Sequence, residues 1–578
     1  MLLFGGINVG IALWLNIWNR DFFNALEKRD TSRLVEQLYI LAAIVVSAGI
    51  AVAIHLHIRR RLQINWRTWL TQVTTRRWLH AGRQYQLGLL ADECDNPDGR
   101  IAEDIRVASE TAVDFAQSIL QCVLQLITFL SVLWVLSGTL PIKLGGVEFA
   151  LPGYMVWAAV LYALFGSILT YALGRGLIEA GNVRQGREAD MRSVLIRARE
   201  NAEGIALMRG EADERARLQG AMGNLRDAWH AQTRGQGSLA LLTSSLAYLA
   251  PVVPLVVALP RYLGGELQLG GLMQTAQAFS SVQWALSWLI DNFPRFAEWR
   301  ASVDRVVQLH NALHDLEETI EAPQGEHIEV TPGSTDRLLL REVGLSRPDG
   351  EALVAEAEVE IQRGERVLIR GQSGSGKSTI MRAIAGVWPW GKGAVELPNG
   401  RIAFMPQKPY FPLGTLREVM LYPERPEVDD EVLCDALHKV GLDHLRGRLG
   451  EEARWDQILS GGEQQRVAFA RVLIQKPHWV FMDEATSALD EAGQANVMKL
   501  LAEELPETAV VSIGHRPGLE AFHSRELVLE LGEDGAQLRA RTADRGLRDI
   551  YRRMSVASRA EGAGPGFWQH FRRSLVGR

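Results

Sequence analysis

Cysteine is almost missing: 578 residues contain three, Cys94, Cys122 and Cys434, far apart and in no CxxC or CxxH pattern. That excludes a disulfide framework and a cysteine-based metal centre. An excess of charge of one sign is missing too. The net charge is -6 with a sequence pI of about 6.2, so there is no basic footprint and nucleic acid is not an expected partner. Long apolar runs are missing after Ile290, whereas six occur before it. The chain is too long for one ordinary domain, and this change of character divides it.

The six runs are Met1–Ile17, Leu38–Ala53, Phe115–Leu136, Gly153–Leu173, Ser238–Leu259 and Leu269–Ile290. Each is close to the ~20 residues that cross a hydrocarbon core. Arginine decides between six spans and six buried helices of a soluble protein. Arg59, Arg60, Arg61, Arg67, Arg76, Arg77, Arg83, Arg100 and Arg106 follow the second run, and Arg175, Arg184, Arg187, Arg192, Arg197, Arg199 and Arg209 follow the fourth. The connections after the third and fifth runs hold only Lys143 and Arg261 as cations. By the positive-inside rule the two Arg-rich connections are cytoplasmic, and with six spans both termini are as well. Trp14, Trp18, Trp134 and Trp157 stand near span ends, as interface anchors would. The first run has neither the charged lead-in nor the cleavage site of a secretory signal. Either it enters the bilayer abruptly or the true start lies upstream.

Both inner connections are long enough to carry the helices past the bilayer. The first contains DNPDGRIAEDI from Asp95 and the second ENAEGIALMRGEADE from Glu200. Taken by composition alone, each reads as a solvated face. A helical stretch to about Leu316 and a Pro/Gly/Thr linker then lead into short apolar strands alternating with helices, an α/β pattern.

Within that pattern RVLIRGQSGSGKSTIMRAIAG reads as strand, glycine loop and helix, the context of a phosphate-binding P-loop. The loop is Gly371, Gln372, Ser373, Gly374, Ser375, Gly376, Lys377, Ser378 and Thr379. Its N–H groups from Gly374 to Ser378 suit a β-phosphate, Lys377 reaches the β/γ oxygens and Ser378 binds Mg²⁺. In WVFMDEATSALD four apolar residues form a buried strand that ends at Asp483, a Mg²⁺ partner through water. Glu484 then stands where a carboxylate deprotonates the attacking water.

A second anion-binding build occurs at ILSGGEQQRVAFARVL, where Ser460, Gly461 and Gly462 open another helix without a second nucleotide lysine. One nucleotide is already enclosed from the Lys377 and Asp483 side. The second loop is therefore best used on another copy's ATP, which implies two chains head to tail with half of each site apiece.

Together these segments resemble the nucleotide-binding domain of an ABC transporter. Gly371–Thr379 matches its Walker A, and Leu459, Ser460, Gly461, Gly462 and Glu463 its LSGGQ-type signature, with Glu463 in place of Gln. Asp483 and Glu484 match Walker B, Ser487–Asp490 the D-loop with Asp490, His515 the switch histidine and Gln407 the Q-loop glutamine. The resemblance implies that Gln407 joins Ser378 and Asp483 around Mg²⁺, and that His515 and Gln407 act with Glu484. It also implies an adenine-stacking aromatic before a Pro turn, where this chain has Arg347, whose guanidinium plane can stack instead. The membrane half is similar to the bacterial fused permease–ATPases allied to the peroxisomal fatty-acyl transporters of the D subfamily, and to the SbmA/BacA peptide transporters. NIWNRDFFNALEKRD, INWRTWLT, LPGYMVWAAVLYA and PRYLGGELQLGGLMQTAQAF are among the segments that carry this likeness. In such proteins the segment around Glu203 and Gly204 faces the ATPase as a coupling loop.

Two polar stripes interrupt apolar spans: Gln117, Gln121 and Gln125, and Gln274, Gln277, Ser281, Trp284 and Trp288. They bond helix to helix or line a wet cavity for an amphipathic cargo. The expected architecture is an α-helical six-span transmembrane domain (1–316), a linker (317–336), an α/β P-loop ABC-type ATPase domain (337–553) and a basic tail (554–578). The expected function is ATP- and Mg²⁺-dependent transport of a bulky amphipathic solute across the bacterial inner membrane by a homodimer. The rival reading is a membrane-anchored mechanical or signalling ATPase that moves no cargo.

Overall fold

The computed structural model describes residues 2–90, 96–144, 147–320, 327–333, 335–424, 426–532 and 535–541. Cys94, part of the linker and the C-terminal tail lie outside them. The chain divides into two compact units, Met1–Thr75 with Asn96–Leu309, and Arg76–Asp95 with His310–Arg578.

In the first unit every apolar run lies on a helix. These are Leu2–Glu27, Thr31–Leu79, Ile105–Ser137, Tyr154–Glu200, Glu211–Leu249 continuing into Val252–Leu263, and Leu269–Asp291. Among the described residues three stretches are long and apolar enough to cross a membrane by length and composition: Thr31–Leu89, Pro97–Ser137 and Glu211–Leu263. The apolar part of a fourth, Tyr154–Thr170, is shorter. At about 1.5 Å per residue, the 49-residue helix Thr31–Leu79 is far longer than a ~30 Å hydrocarbon core. Its Arg-rich end therefore projects beyond any bilayer that its apolar half occupies. Phe129, Leu133, Ala159, Ala258, Ala278, Phe279 and Val282 form the packed centre of the unit, the alanines letting helices approach closely. Val45, Val46, Ile50 and Val52 point outward, a placement that suits lipid as solvent.

The first inner connection is not the solvated face that its composition suggests. Asp104 is buried and accepts from Arg305 Nε and Nη2 at 2.7 and 2.5 Å. Asp114 gathers Arg295 at 2.6 Å, the Gln63 amide at 2.8 Å and Arg59 at 3.7 Å. Three cations or donors around one carboxylate lock helices that an alternation of charges alone would leave loose. In the second connection a short helix, Ala202–Met208, leaves Leu207 and Met208 78% and 84% exposed.

The second unit is built on a ten-stranded sheet among the described residues. Its order is Glu329–Pro332, Gly391–Leu397, Arg337–Ser346, Ala352–Gln362, Gly535–Arg541, Arg525–Gly532, Arg366–Gly371, Ala509–Ile513, Trp479–Asp483 and Ile402–Met405. The last four run parallel, with Trp479–Asp483 between Ala509–Ile513 and Ile402–Met405. The alternation read from sequence fits this end of the sheet. The antiparallel pairing of Arg337–Ser346 with both Ala352–Gln362 and Gly391–Leu397 is an addition that alternation did not announce. Val480, Phe481 and Met482 are buried on both faces, as central parallel strands require.

Residues 76–95 join this second unit. Tyr85, Leu89 and Leu90 pack against its core, Arg77 and Arg83 both pair with Glu317 at 2.7 Å, and Arg382 lies 5.8 Å over the Tyr85 ring. Gly82 makes the turn possible: its φ is +79°, and a Cβ there would stand 2.8 Å from Val387 Cγ1.

A candidate nucleotide site

Arg366–Gly371 delivers the glycine loop at the carboxyl end of a parallel strand, and Lys377–Ile384 leaves from it as a helix. Gly374 and Gly376 adopt φ of +82° and +92°, and a Cβ on Gly376 would meet Val354 Cγ2 at 2.9 Å. Only glycine takes these conformations without strain. Lys377 Nζ donates to the carbonyls of Gly371 at 3.0 Å and Gln372 at 2.6 Å, folded over the cradle it would share with phosphate. Burial holds its pKa down, against the opposing pull of Glu484 and Asp483. The hydroxyl of Ser375 is buried in the loop without a hydrogen-bond partner. A tight glycine loop with a buried cation and an orphaned hydroxyl fits a polyphosphate.

Asp483 ends the strand Trp479–Asp483 and accepts a hydrogen bond from Ser378 Oγ at 3.0 Å. These two oxygens form the donor pair that a hard divalent cation takes, and they suit Mg²⁺. Glu484 follows in a left-handed conformation, φ +48°, tied by its N–H to the Ile513 carbonyl at 3.0 Å. Such strain in a non-glycine residue persists where the surroundings fix it. It aims the carboxylate at two partners: Gln407 Nε2 donates to Oε2 at 2.8 Å, and His515 Nε2 lies 3.9 Å from Oε1. Lys377, Ser378, Gln407, Asp483, Glu484 and His515 are thus gathered in one place.

Ser460 caps the helix Gly461–Gln475 in a capping box: its N–H donates to Glu463 Oε2 at 2.9 Å and its hydroxyl to the same oxygen at 2.7 Å. These bonds, the hydroxyl's first, hold the Glu463 carboxyl below its ordinary pKa, and His444 Nε2 stands 3.1 Å from its other oxygen. The departure from Gln is therefore built into the cap. Asp490 is likewise a cap, accepting the Gly493 N–H at 2.9 Å at the start of Glu491–Glu504.

Arg347 sits in the turn between two strands, its backbone bonded to Glu351 at 2.8 Å and its guanidinium paired with the Glu351 carboxylate. Stacking on a base would have to keep or break that pair. In the membrane unit the Gln274 carbonyl accepts Asn16 Nδ2 at 3.1 Å, and Gln277 Oε1 accepts Asn19 Nδ2 at 2.5 Å. Trp284 is 47% exposed, and Trp288 sits edge-on to Phe115 at 6.1 Å.

Three residues escaped the sequence reading. Arg516, next to His515, donates to the Thr486 carbonyl at 2.8 Å and to that of Leu489. Arg471 donates to the carbonyls of Val419 at 2.8 Å and Tyr410 at 2.9 Å, with burial pushing its pKa down to about 10. Gln465 is 2% exposed and bonded to three loop groups. For Arg471 and Gln465 the available signal was a polar residue on the apolar face of a helix, which must find partners when buried; Arg516, in the loop after Ala509–Ile513, gave no such signal.

Residues 2–263 match the family described as ABC transporter transmembrane region 2, and residues 354–487 the family described as ABC transporter. The inner membrane ABC transporter ATP-binding protein YddA of Escherichia coli is 33% identical, with 88% of this chain and 90% of YddA covered. ABC transporter D family member 2, chloroplastic, of Arabidopsis thaliana is 28% identical over 91% of this chain and 81% of its own length. A bacterial Atm1-family ABC exporter solved with ATP bound shares the fold at a TM-score of 0.72 and 18% identity, covering 97% of this chain and 98% of that one.

Proposed function

The chain belongs to the ABC transporters, with membrane region and ATPase fused in one polypeptide, and we propose that it works as a homodimer that moves a bulky amphipathic solute across the bacterial inner membrane. ATP hydrolysis coupled to transport is the activity of the family. Each ATP would lie between Gly371–Thr379 of one chain and Leu459–Glu463 of the other. The observation that carries this reading is the state of Ser460. It opens a helix, bonded there only to Glu463 of its own capping box, and among the described residues no hydrogen bond joins it to the Lys377 loop of its own chain.

Ser378, Asp483 and Gln407 would hold Mg²⁺, which when bound neutralises charge developing on the phosphates. Lys377 exchanges its loop carbonyls for phosphate oxygens. Glu484 takes the proton of the attacking water, and Gln407 and His515 hold its carboxylate and the water in line. Six spans place the ATPase domain and both termini in the cytoplasm. The domains follow as 1–316, 317–336 and 337–553, with the basic tail beyond. The exposed helix around Glu203 and Gly204, with Leu207 and Met208 uncovered, would serve as the coupling surface of the membrane half. Of the stripe Gln274, Gln277, Ser281, Trp284 and Trp288, the exposed Trp284 would offer most to the cargo, while Gln277 is bonded to Asn19; Arg347 would meet the adenine.

The test is reconstitution in proteoliposomes with a labelled amphipathic peptide and a labelled acyl-CoA. ATP-dependent movement of either across the bilayer, with faster hydrolysis, is expected. Hydrolysis that responds to neither, with no label crossing, would favour the mechanical or signalling ATPase.

A further inference from the structure

We infer that Gln465 is a positioning residue that couples the two ATP sites of the dimer, by fastening Gln407 of its own site to the loops that meet the other chain's nucleotide. The inference rests on the head-to-tail reading above.

Gln465 lies one turn into the helix that Ser460 caps, 2% exposed, so each polar atom of its amide must be satisfied within the protein. Its Nε2 donates to the backbone carbonyl of Gln407 at 3.2 Å and to Ser487 Oγ at 3.1 Å. Its Oε1 accepts the N–H of Ala488 at 2.9 Å. One side chain thereby joins its helix to two loops, one 58 residues before it and one 22 residues after it. Gln407 faces the chain's own Glu484 at 2.8 Å. Ser487 and Ala488 belong to the loop that leads to Asp490.

A second contact ties the same segments. A Cβ on Gly462 would stand 3.2 Å from the Ala488 carbonyl, and one on Gly461 3.4 Å from Ala488 Cβ. The two glycines therefore let the helix start lie so close to Ala488 that an added side chain would crowd it. Arg471, two turns further along the helix, holds Tyr410 at 2.9 Å and lies 4.9 Å over the Phe411 ring. The helix grips the segment after Gln407 at two points. When Gln407 shifts on contact with nucleotide or water, the helix and the Ser487–Asp490 loop move with it. In a head-to-tail dimer both of those elements close the opposite site. The occupancy of one site is thereby felt at the other through hydrogen bonds that stay inside one chain.

The test compares turnover per intact site in mixed dimers, where one chain carries Glu484→Gln, with that in dimers of two active chains. With Gln465 present, the dead site should slow its intact neighbour several-fold. With Gln465→Leu in both chains, a similar volume without hydrogen bonds, the intact site should run at the same rate whatever its neighbour does. A role in folding alone would lower both rates together and leave their ratio unchanged. ATP-dependent cross-linking of Glu484→Gln chains across the dimer is measured alongside. If cross-linking is absent, the head-to-tail reading fails and takes the inference with it. If it is present and the ratio ignores Gln465→Leu, or equals one already with Gln465, the inference alone is overturned. Should Gln465→Leu fail to fold, Ser487→Ala, which removes one of the three bonds from the other side, must raise the ratio part of the way.

Discussion

Gln407 Nε2 donates to Glu484 Oε2 across 2.8 Å, so the loop after Ile402–Met405 restrains the carboxylate at the end of Trp479–Asp483. The two strands are neighbours in the sheet, and their parallel register sets Met482 beside Met405. The sheet thereby brings the two loops side by side.

Glu484→Gln keeps the shape of that contact and removes the base. ATP binding should survive, because Lys377, Ser378 and Asp483 are untouched, while turnover falls by roughly 10²–10⁴-fold. Nucleotide binding and steady-state hydrolysis measured on one preparation decide the matter. A rate near that of the unaltered protein would remove Glu484 from the role of general base.

How much of this was legible beforehand depends on where the information lies. The strand–loop–helix around Lys377 could be read because each residue occupies a fixed offset in a short local pattern, and local geometry then does the rest. Arg76–Asp95 could not. Its tie to the ATPase core runs through Tyr85, Leu89, Leu90 and a glycine turn at Gly82, ordinary residues whose partners lie more than two hundred positions away. Gln465 was hidden for a related reason. Within QQRVAFARVL it looks like one more polar residue on a helix, and only the burial of its face turns it into a junction.

The two-chain arrangement makes a prediction about mixtures. Lys377→Ala and Ser460→Arg should each be poorly active alone, since each damages both composite sites. Combined, heterodimers place both lesions in one site and leave the other whole, so part of the activity returns. Absence of recovery in verified heterodimers would contradict the head-to-tail arrangement or require both sites to fire.

His523 predicts how the ATPase unit responds to acid. Its Nδ1 faces the Leu519 carbonyl and its Nε2 the Ser512 hydroxyl, both at 2.7 Å. A carbonyl only accepts, so Nδ1 carries the proton and Ser512 donates to Nε2, a neutral ring with both nitrogens used. Burial above all pushes its pKa down to about 4. In the unfolded chain the ring takes a proton near pH 6.5, so the unfolded state binds more protons between those values. Stability is full above about pH 6.5 and drops as pH falls toward 4, by a total of order 3 kcal/mol. Thermal melts of the full chain from pH 7.5 to 4.5 should show that decline. With His523→Gln the slope should flatten, even if the neutral-pH midpoint is lower. An unchanged slope would mean other groups govern acid sensitivity.

The polar stripe in Leu269–Asp291 divides by partner, and that division makes its own prediction. Gln277 already spends its carbonyl oxygen on Asn19 at 2.5 Å, whereas Trp284 is 47% exposed on the same helix. An amphipathic cargo gains broad contact from a free indole and little from an amide bound elsewhere. Trp284→Ala should therefore change cargo-stimulated hydrolysis several-fold and leave basal hydrolysis nearly intact. Gln277→Ala should act first on the packing between Leu2–Glu27 and Leu269–Asp291, at the ~1–2 kcal/mol or less that interhelical hydrogen bonds contribute in membranes. Single cysteines give a second readout, since a cavity that opens to one side at a time exposes its walls according to nucleotide state. Thiol labelling at position 284 should switch between ATP-bound and nucleotide-free protein. If position 284 labels identically in both states and Trp284→Ala leaves stimulation unchanged, the stripe only holds helices together and the cargo passes elsewhere.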